Sequence, residues 1–216
     1  MSTYMSQLST EESEFFNILN HVGCLTVWQA KKILEKYLFC SNAQATRIIQ
    51  NLCNHQYITL STNHNFLTAG VRSSKFHSKV DTKVLRGMHI CIDFIDSLEE
   101  MKFTHLPSDN TNLVFLSNGN LYKVIDIHLS EQFKINAMRQ SFIDAMASQR
   151  KNLSSNKALY PYTTIFSVPA SENKDDILDM FENAEISFPA AFAYFKTDNL
   201  DEAPSYELYK LELEQE

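Results

Sequence analysis

Gln44, Thr46, Arg47, Gln50 and Asn51 crowd into one short stretch and fall on the side of a helical repeat away from Ala45, Ile48 and Leu52. Gln and Asn amides can exchange paired hydrogen bonds with an adenine edge, and Arg with guanine or a phosphate, so these types suit the readout of base edges. Metal ligation is a second chemistry the chain has residues for, through His21 with Cys24, Cys53 with His55, and His89 with Cys91. No close pair is answered by a second at the loop spacing of a structural zinc site. Each Cys also sits in or beside an apolar helical stripe, so Cys24, Cys40, Cys53 and Cys91 are expected to be buried, reduced thiols rather than metal ligands or a disulfide framework. Nucleophilic catalysis has neither a Gly-x-Ser-x-Gly elbow nor a local Cys/His signature to stand on. The 4 glycines, Gly23, Gly70, Gly87 and Gly119, are isolated from one another. A phosphate-cradling loop needs several together, because a Cβ would keep the backbone amides from the phosphates. Neither metal nor cofactor is therefore expected.

The elements that must position the polar stretch announce themselves by a repeated start signal. Ser9 with Glu12, Thr26 with Gln29, and Ser41 with Gln44 each have the spacing of a capping box, in which a hydroxyl and a side-chain carbonyl satisfy each other's backbone amides. Behind the three caps run Phe15, Phe16, Leu19 and Val22; then Val27, Ala30, Ile33, Leu34 and Tyr37; then Ala45, Ile48, Ile49 and Leu52. All keep the i, i+3, i+4, i+7 spacing of one helical face. The short connections around Gly23-Cys24-Leu25 and Phe39-Cys40 force the helices to pack on one another at once. Tyr57-Ile58-Thr59-Leu60, a polar tip at Ser61–Asn65, and Phe66-Leu67-Thr68 then read as strand, turn, strand.

Three helices followed by a hairpin is the order of a winged helix-turn-helix. Residues 41–52, SNAQATRIIQNL, followed by Tyr57-Ile58, resemble the recognition helix and first wing strand of bacterial winged-helix regulators. The chain departs from that pattern at Gln56, where the family usually has Gly. The resemblance covers about residues 9–70. It implies that the helix carrying Gln44, Thr46, Arg47, Gln50 and Asn51 enters a major groove, that Asn63, His64 and Asn65 form the wing tip, and that Arg72, Lys75 and Lys79 meet the flanking backbone.

Residues 71–79, VRSSKFHSK, read as a basic linker, and Ser78 with Asp81 as a further cap. Val84, Met88, Cys91, Ile95 and Leu98 then recur along an amphipathic helix, with Lys83, Arg86, Asp93, Asp96 and Glu99 off its stripe. Such a helix serves either as a dimerisation seam over residues 81–100 or as packing for the remainder of the chain. Beyond Pro107 the pattern is mixed: strands at 112–116 and 121–129 about the hairpin signal Asn118-Gly119, then helix 131–148, strand 163–168, helix 173–183 and strands 192–196 and 206–213. The helix is expected to be apolar along Phe133, Ala137, Met138, Phe142, Ala145 and Met146. Aromatic clusters at Tyr160-Pro161-Tyr162 and 188–195 are either core or a partner groove.

A winged helix ahead of such a half is similar in layout to the replication-relaxation family of plasmid and conjugative-element proteins, which join one to a restriction-endonuclease-like domain. That nuclease fold implies an Asp on one strand and a Glu-x-Lys on the next, the carboxylates holding a divalent metal and the Lys assisting the attacking water. Asp109 and Asp126 are the candidate carboxylates. The two Glu-x-Lys strings, Glu100-Met101-Lys102 and Glu172-Asn173-Lys174, end one helix and cap another, and neither follows Asp126 on a paired strand. A degenerate, non-catalytic copy of the fold is therefore expected.

The chain thus reads as an α+β protein: a winged helix over 1–76, a connecting helix over 77–104 and a mixed α/β domain over 105–216. Residues 1–80 carry 7 Lys/Arg against 4 Asp/Glu and residues 81–216 carry 12 against 22, so net charges of +3 and −10 make up the total of −7. The basic side is the one expected to meet DNA. No apolar run is long enough for a membrane span and no basic-then-apolar leader opens the chain, which points to the cytoplasm. The expectation is a regulatory or mobile-element DNA-binding protein without enzymatic activity, dimeric through helix 81–100 or the C-terminal domain. The alternatives are a protein-interaction module with a structural winged helix and, third, a metal-dependent nuclease.

Overall fold

The computed structural model describes residues 8–63, 65–71, 80–100, 111–151, 162–201 and 205–211. Within them the chain is a mixed α+β protein with two sheets. All three capping boxes form, at Ser9, Thr26 and Ser41, and open α1 (Thr10–Val22), α2 (Val27–Lys32) and α3 (Asn42–Asn54). Past Lys32, α2 widens into a π-helical turn over Ile33–Tyr37, where Ile33 and Leu34 remain buried.

Between α1 and α2 the sequence shows only a short connection, yet Cys24–Thr26 is a strand, β1. It pairs antiparallel with β3 (Phe66–Ala69), which also pairs with β2 (Ile58–Leu60), giving the order β1-β3-β2. Three residues carry too little alternation to reveal a strand; its pairing partner lies some forty residues later. The turn into β2 passes through Gln56 at φ 62, a left-handed conformation that costs a residue with a Cβ. Gly70 answers it from the other side. A Cβ at Gly70 would lie 2.4 Å from the Gln56 carbonyl oxygen, so glycine is required for close approach here, and the Gly70 amide donates to the Tyr57 carbonyl at 2.8 Å.

Asp81 caps α4 (Thr82–Asp93), while Ser78 lies outside the described residues. The helix stops at Asp93, and the stretch expected to continue it forms a 3-10 turn at Ile95–Ser97 and a strand, β4 (Leu98–Glu100). Nor is it amphipathic in the fold: every residue from Val84 to Ile92 is buried, Arg86 and His89 included. One side of α4 meets α2 and β1, the other meets β5 (Thr111–Ser117), β6 (Asn120–Asp126) and β7 (Tyr162–Val168). Over Val84–Ile92 the helix is therefore packed by the chain itself, the second of the two roles expected for it. A continuous core runs from Phe15 and Leu19 through Leu85 and Met88 to Phe115 and Phe195.

The second sheet has the order β4-β5-β6-β7-β8-β9, with β8 at Ala190–Phe195 and β9 at Tyr206–Leu211. Asn118 and Gly119, both at positive φ, turn β5 back on β6 as the hairpin signal predicts. The pairs β6/β7 and β7/β8 are parallel, so each needs a crossover. These are α5 (Gln132–Lys151) and α6 (Lys174–Asn183), which pack together on the face opposite α4 through Ile135, Met138, Phe142, Ile177, Met180 and Phe181. Phe133 and Ala137, expected on the apolar side of α5, instead face outward. Phe188, Phe192 and Phe195 are wholly buried and Tyr194 half-buried, so the aromatic cluster at 188–195 is core, while Tyr160 and Pro161 of the first cluster lie outside the described residues.

Candidate functional site

The α3 stretch does not present its polar residues equally. Ala45, Ile48, Ile49 and Leu52 turn inward, and a step of 100° per residue then puts Ala43, Arg47, Gln50 and Asn54 at the middle of the outer face, all exposed. Arg47 and Gln50 make no side-chain hydrogen bond or ion pair among the described residues. Gln44 is also exposed, but its Oε1 accepts from the Ser41 amide and hydroxyl, both at 2.8 Å, as half of the helix cap. Asn51 is half-buried and donates to Glu12 Oε1 of α1 at 3.1 Å. Thr46 is half-buried on the far flank. Two of the five expected readers are thus held by the protein itself. Ala43 and Asn54 stand in their place on the outer face, and extending the 100° count by one turn at each end would have found both.

Beside Arg47, a cleft of about 500 Å³ separates α3 from the start of α1 and is lined by Glu11, Glu12, Cys40, Ile48 and Asn51 among others. Hydrogen bonds from a backbone amide and from the Ser9 hydroxyl hold the Glu11 carboxyl below the usual carboxylate range. One flank of the outer face is therefore acidic.

At the hairpin turn, Asn63 is exposed, and its Oδ1 accepts from the Ser61 hydroxyl and, at 3.4 Å, from the Asn65 amide. Asn65 is half-buried and donates its side-chain amide to Asp201, in the loop between β8 and β9. His64, Arg72, Lys75 and Lys79 lie outside the described residues. The loop is anchored one residue earlier, where Leu200 is buried and its carbonyl lies 3.0 Å from His89 Nε2. His89 sits between the Trp28 and Phe195 rings, and burial pushes its pKa down to about 4. A neutral imidazole, donating from Nε2, is the form that fits.

The carboxylates form a second constellation, at the ends of β6 and β7. Asp126 is 1% exposed, and Arg86 reaches it from α4 with Nε 2.8 Å from Oδ1 and Nη2 3.0 Å from Oδ2. Ser167 of β7 adds a hydrogen bond to Oδ1 at 2.9 Å, Lys83 stands 4.0 Å from Oδ2, and His128 Nε2 lies 3.3 Å from the same oxygen. The opposite ring nitrogen of His128 is 2.8 Å from Glu172 Oε1. Arg86 was expected off the apolar stripe; it is buried because Asp126 neutralises it.

The chain matches no family model, no curated protein and no solved structure.

Among the described residues, neither Glu-x-Lys string brings a second carboxylate onto Asp126 as a shared ligand set. Thr111, at the start of β5, pairs with Ile125, but Asp109, Met101 and Lys102 lie outside the described residues. In the second string, Asn173 caps α6, Glu172 accepts from His128 and the Leu129 amide, and Lys174 reaches Glu207 at 3.0 Å. No group of three His, Cys, Asp or Glu able to hold a metal ion occurs among the described residues. Cys24, Cys40 and Cys91 are buried free thiols and Cys53 is half-buried. Burial raises all four thiol pKa values, Cys24 to about 11, which keeps them protonated and unreactive. No helix of the described chain is long and apolar enough to cross a membrane.

Proposed function

We propose that this chain binds duplex DNA through a winged helix-turn-helix, with α3 in the major groove, and that its second sheet is a restriction-endonuclease-like scaffold that does not cut. The observation that carries the reading is the outer face of α3, where Arg47 and Gln50 are exposed and unbonded on a helix held by a cap and a buried stripe. The order α1-β1-α2-α3-β2-β3, with a sheet arranged β1-β3-β2, supports it, because it presents α3 and the hairpin on one unit. Arg47 and Gln50 read base edges, and Asn63 at the hairpin tip meets the backbone. Asp126 supports the non-catalytic part. Its two oxygens are already taken by a guanidinium, which competes directly with a cation for the same lone pairs. By layout, a regulatory or mobile-element role fits best.

A fluorescence titration with random duplex DNA, at low and moderate salt and beside an Arg47→Ala/Gln50→Ala variant, tests the reading. Salt-sensitive binding that the variant loses supports it, since neutralised phosphates release counterions. Absence of binding by folded protein at low salt overturns it. The second reading, a protein-interaction module, is favoured by the acidic flank of α3 and by the tie from Asn65 to Asp201. It predicts capture of a basic protein with no affinity for duplex DNA.

A further inference from the structure

The hairpin turn and the loop between β8 and β9 meet through one side-chain contact, from the Asn65 amide to Asp201 Oδ2. The backbone of Asn65 is committed to its own unit. Its amide reaches the Ser61 hydroxyl at 3.3 Å, and its carbonyl accepts from the Val27 amide, the first of α2, at 2.9 Å. The side-chain amide is therefore what Asn65 offers beyond the hairpin. Asp201 is brought to it by a loop with its own bracing. The Lys196 amide donates to the Ser205 carbonyl at 2.8 Å across the base, the Asn199 amide to Thr197 Oγ1 at 3.0 Å, and the Asp201 amide to Asn199 Oδ1 at 3.1 Å. Leu200 is buried, and its carbonyl lies 3.0 Å from His89 Nε2 in the core. With both backbones held, the contact is made and broken by side-chain rotation, and both residues are half-buried, within reach of solvent.

A carboxylate and a phosphate are alike to an amide donor: both are anionic acceptors, and amide side chains are among the groups that hold DNA by its phosphates. Only one of them can take the Asn65 donor, and a phosphate brought beside Asp201 would set two negative charges together. We propose that Asp201 is an internal brake on DNA binding, occupying the hairpin donor that a phosphate would otherwise take. The inference rests on the DNA-binding reading and adds a regulatory contact to it. The contact also joins the two halves of opposite charge, since Asn65 belongs to the part that carries net +3 and Asp201 to the part that carries −10. In the restrained state α3 meets the groove while Asn65 stays on Asp201. In the released state Asp201 turns away and the Asn65 amide joins Asn63 on the backbone. Because the contact is intramolecular, it acts at every protein concentration.

The test is a titration of the full chain with random duplex DNA at low salt, comparing wild type, Asp201→Ala, Asn65→Ala and the double variant, each shown to be folded by circular dichroism. Asp201→Ala is expected to bind about three- to ten-fold tighter, the scale of one freed hydrogen bond. Asp201→Asn, the same shape without the charge, is expected to give a smaller gain in the same direction. In the Asn65→Ala background the Asp201→Ala gain is expected to shrink to no more than about two-fold, the general effect of one fewer screened negative charge. Equal affinity of wild type and Asp201→Ala overturns the inference and leaves the DNA-binding reading standing. So does a gain of the same size with and without Asn65, which would come from charge alone. Duplex DNA bound by none of the proteins overturns the DNA-binding reading, and the inference with it.

Discussion

Arg86 and Asp126 lie forty residues apart in the chain and form a two-pronged ion pair at 2.8 and 3.0 Å, with side chains 5% and 1% exposed. Through it α4, the helix between the two sheets, is pinned to the end of β6. Removing one member of such a pair leaves the other charge buried without its closest counter-charge, at a cost of about 3–5 kcal/mol, which at Asp126 the remaining contacts to Lys83, His128 and Ser167 hold toward the lower figure. Arg86→Met is expected to lower the free energy of urea unfolding by that amount. Arg86→Met combined with Asp126→Leu should recover most of the loss, and a double variant no more stable than the single one would show that the pair is not the origin of the effect.

Protonating His89 destabilises the fold. Its pKa falls from 6.5 to about 4 on folding, because burial between Trp28 and Phe195 disfavours the imidazolium. The unfolded chain therefore binds this proton more readily. The stabilisation is complete above about pH 6.5 and is lost as pH falls from there through 4. Between pH 7.5 and 4.5 the wild type should lose about 2–3 kcal/mol more unfolding free energy than His89→Leu, by the linkage of proton binding to folding. The comparison cancels the carboxylates common to both proteins, and equal losses would contradict the assignment.

Gly70→Ala is expected to destabilise the hairpin unit by about 2–3 kcal/mol, at the upper end of overpacking costs. The added methyl would meet backbone atoms of Gln56 and Tyr57 at 2.4–2.9 Å, and neither can step aside as a side-chain tip could. Thermal unfolding is the measurement, and a midpoint unchanged from wild type would refute the clash.

Gln44 and Arg47 lie three residues apart on α3, and under the proposed DNA-binding reading their substitutions are expected to change different quantities. Gln44→Ala removes half of a capping box and should cost about 1 kcal/mol of stability. Arg47→Ala touches no internal partner and should leave stability within about 0.5 kcal/mol while weakening DNA binding. Paired unfolding and titration experiments on both variants separate the two roles.

Elements encoded by neighbouring residues were legible. The three capping boxes, the hairpin at Asn118-Gly119, the cap at Asn173 and the crossover helices follow from spacings of two to four residues, and the structure has each of them. What escaped depends on distant partners. β1 is a strand only because β3 offers it a free edge, and β4 interrupts an apparently continuous helical stripe because β5 pairs with it. The sheet takes a different face of α5 from the one that Phe133 and Ala137 predict. Their apolarity suggested burial, whereas the sheet contacts Ile135, Met138 and Phe142.

The sequence by itself determined where helices begin, which residues of α3 turn inward and which half of the chain is basic. Each of these rests on local hydrogen bonding, on the 100° step of a helix or on counting charges. Only the tertiary structure decided that α4 is buried on all sides, that Arg86 and Asp126 neutralise each other, and that Asn51 belongs to Glu12 and Asn65 to Asp201. Those outcomes depend on which surfaces meet. A charged or amide side chain carries no local mark of the distant partner that makes its burial affordable.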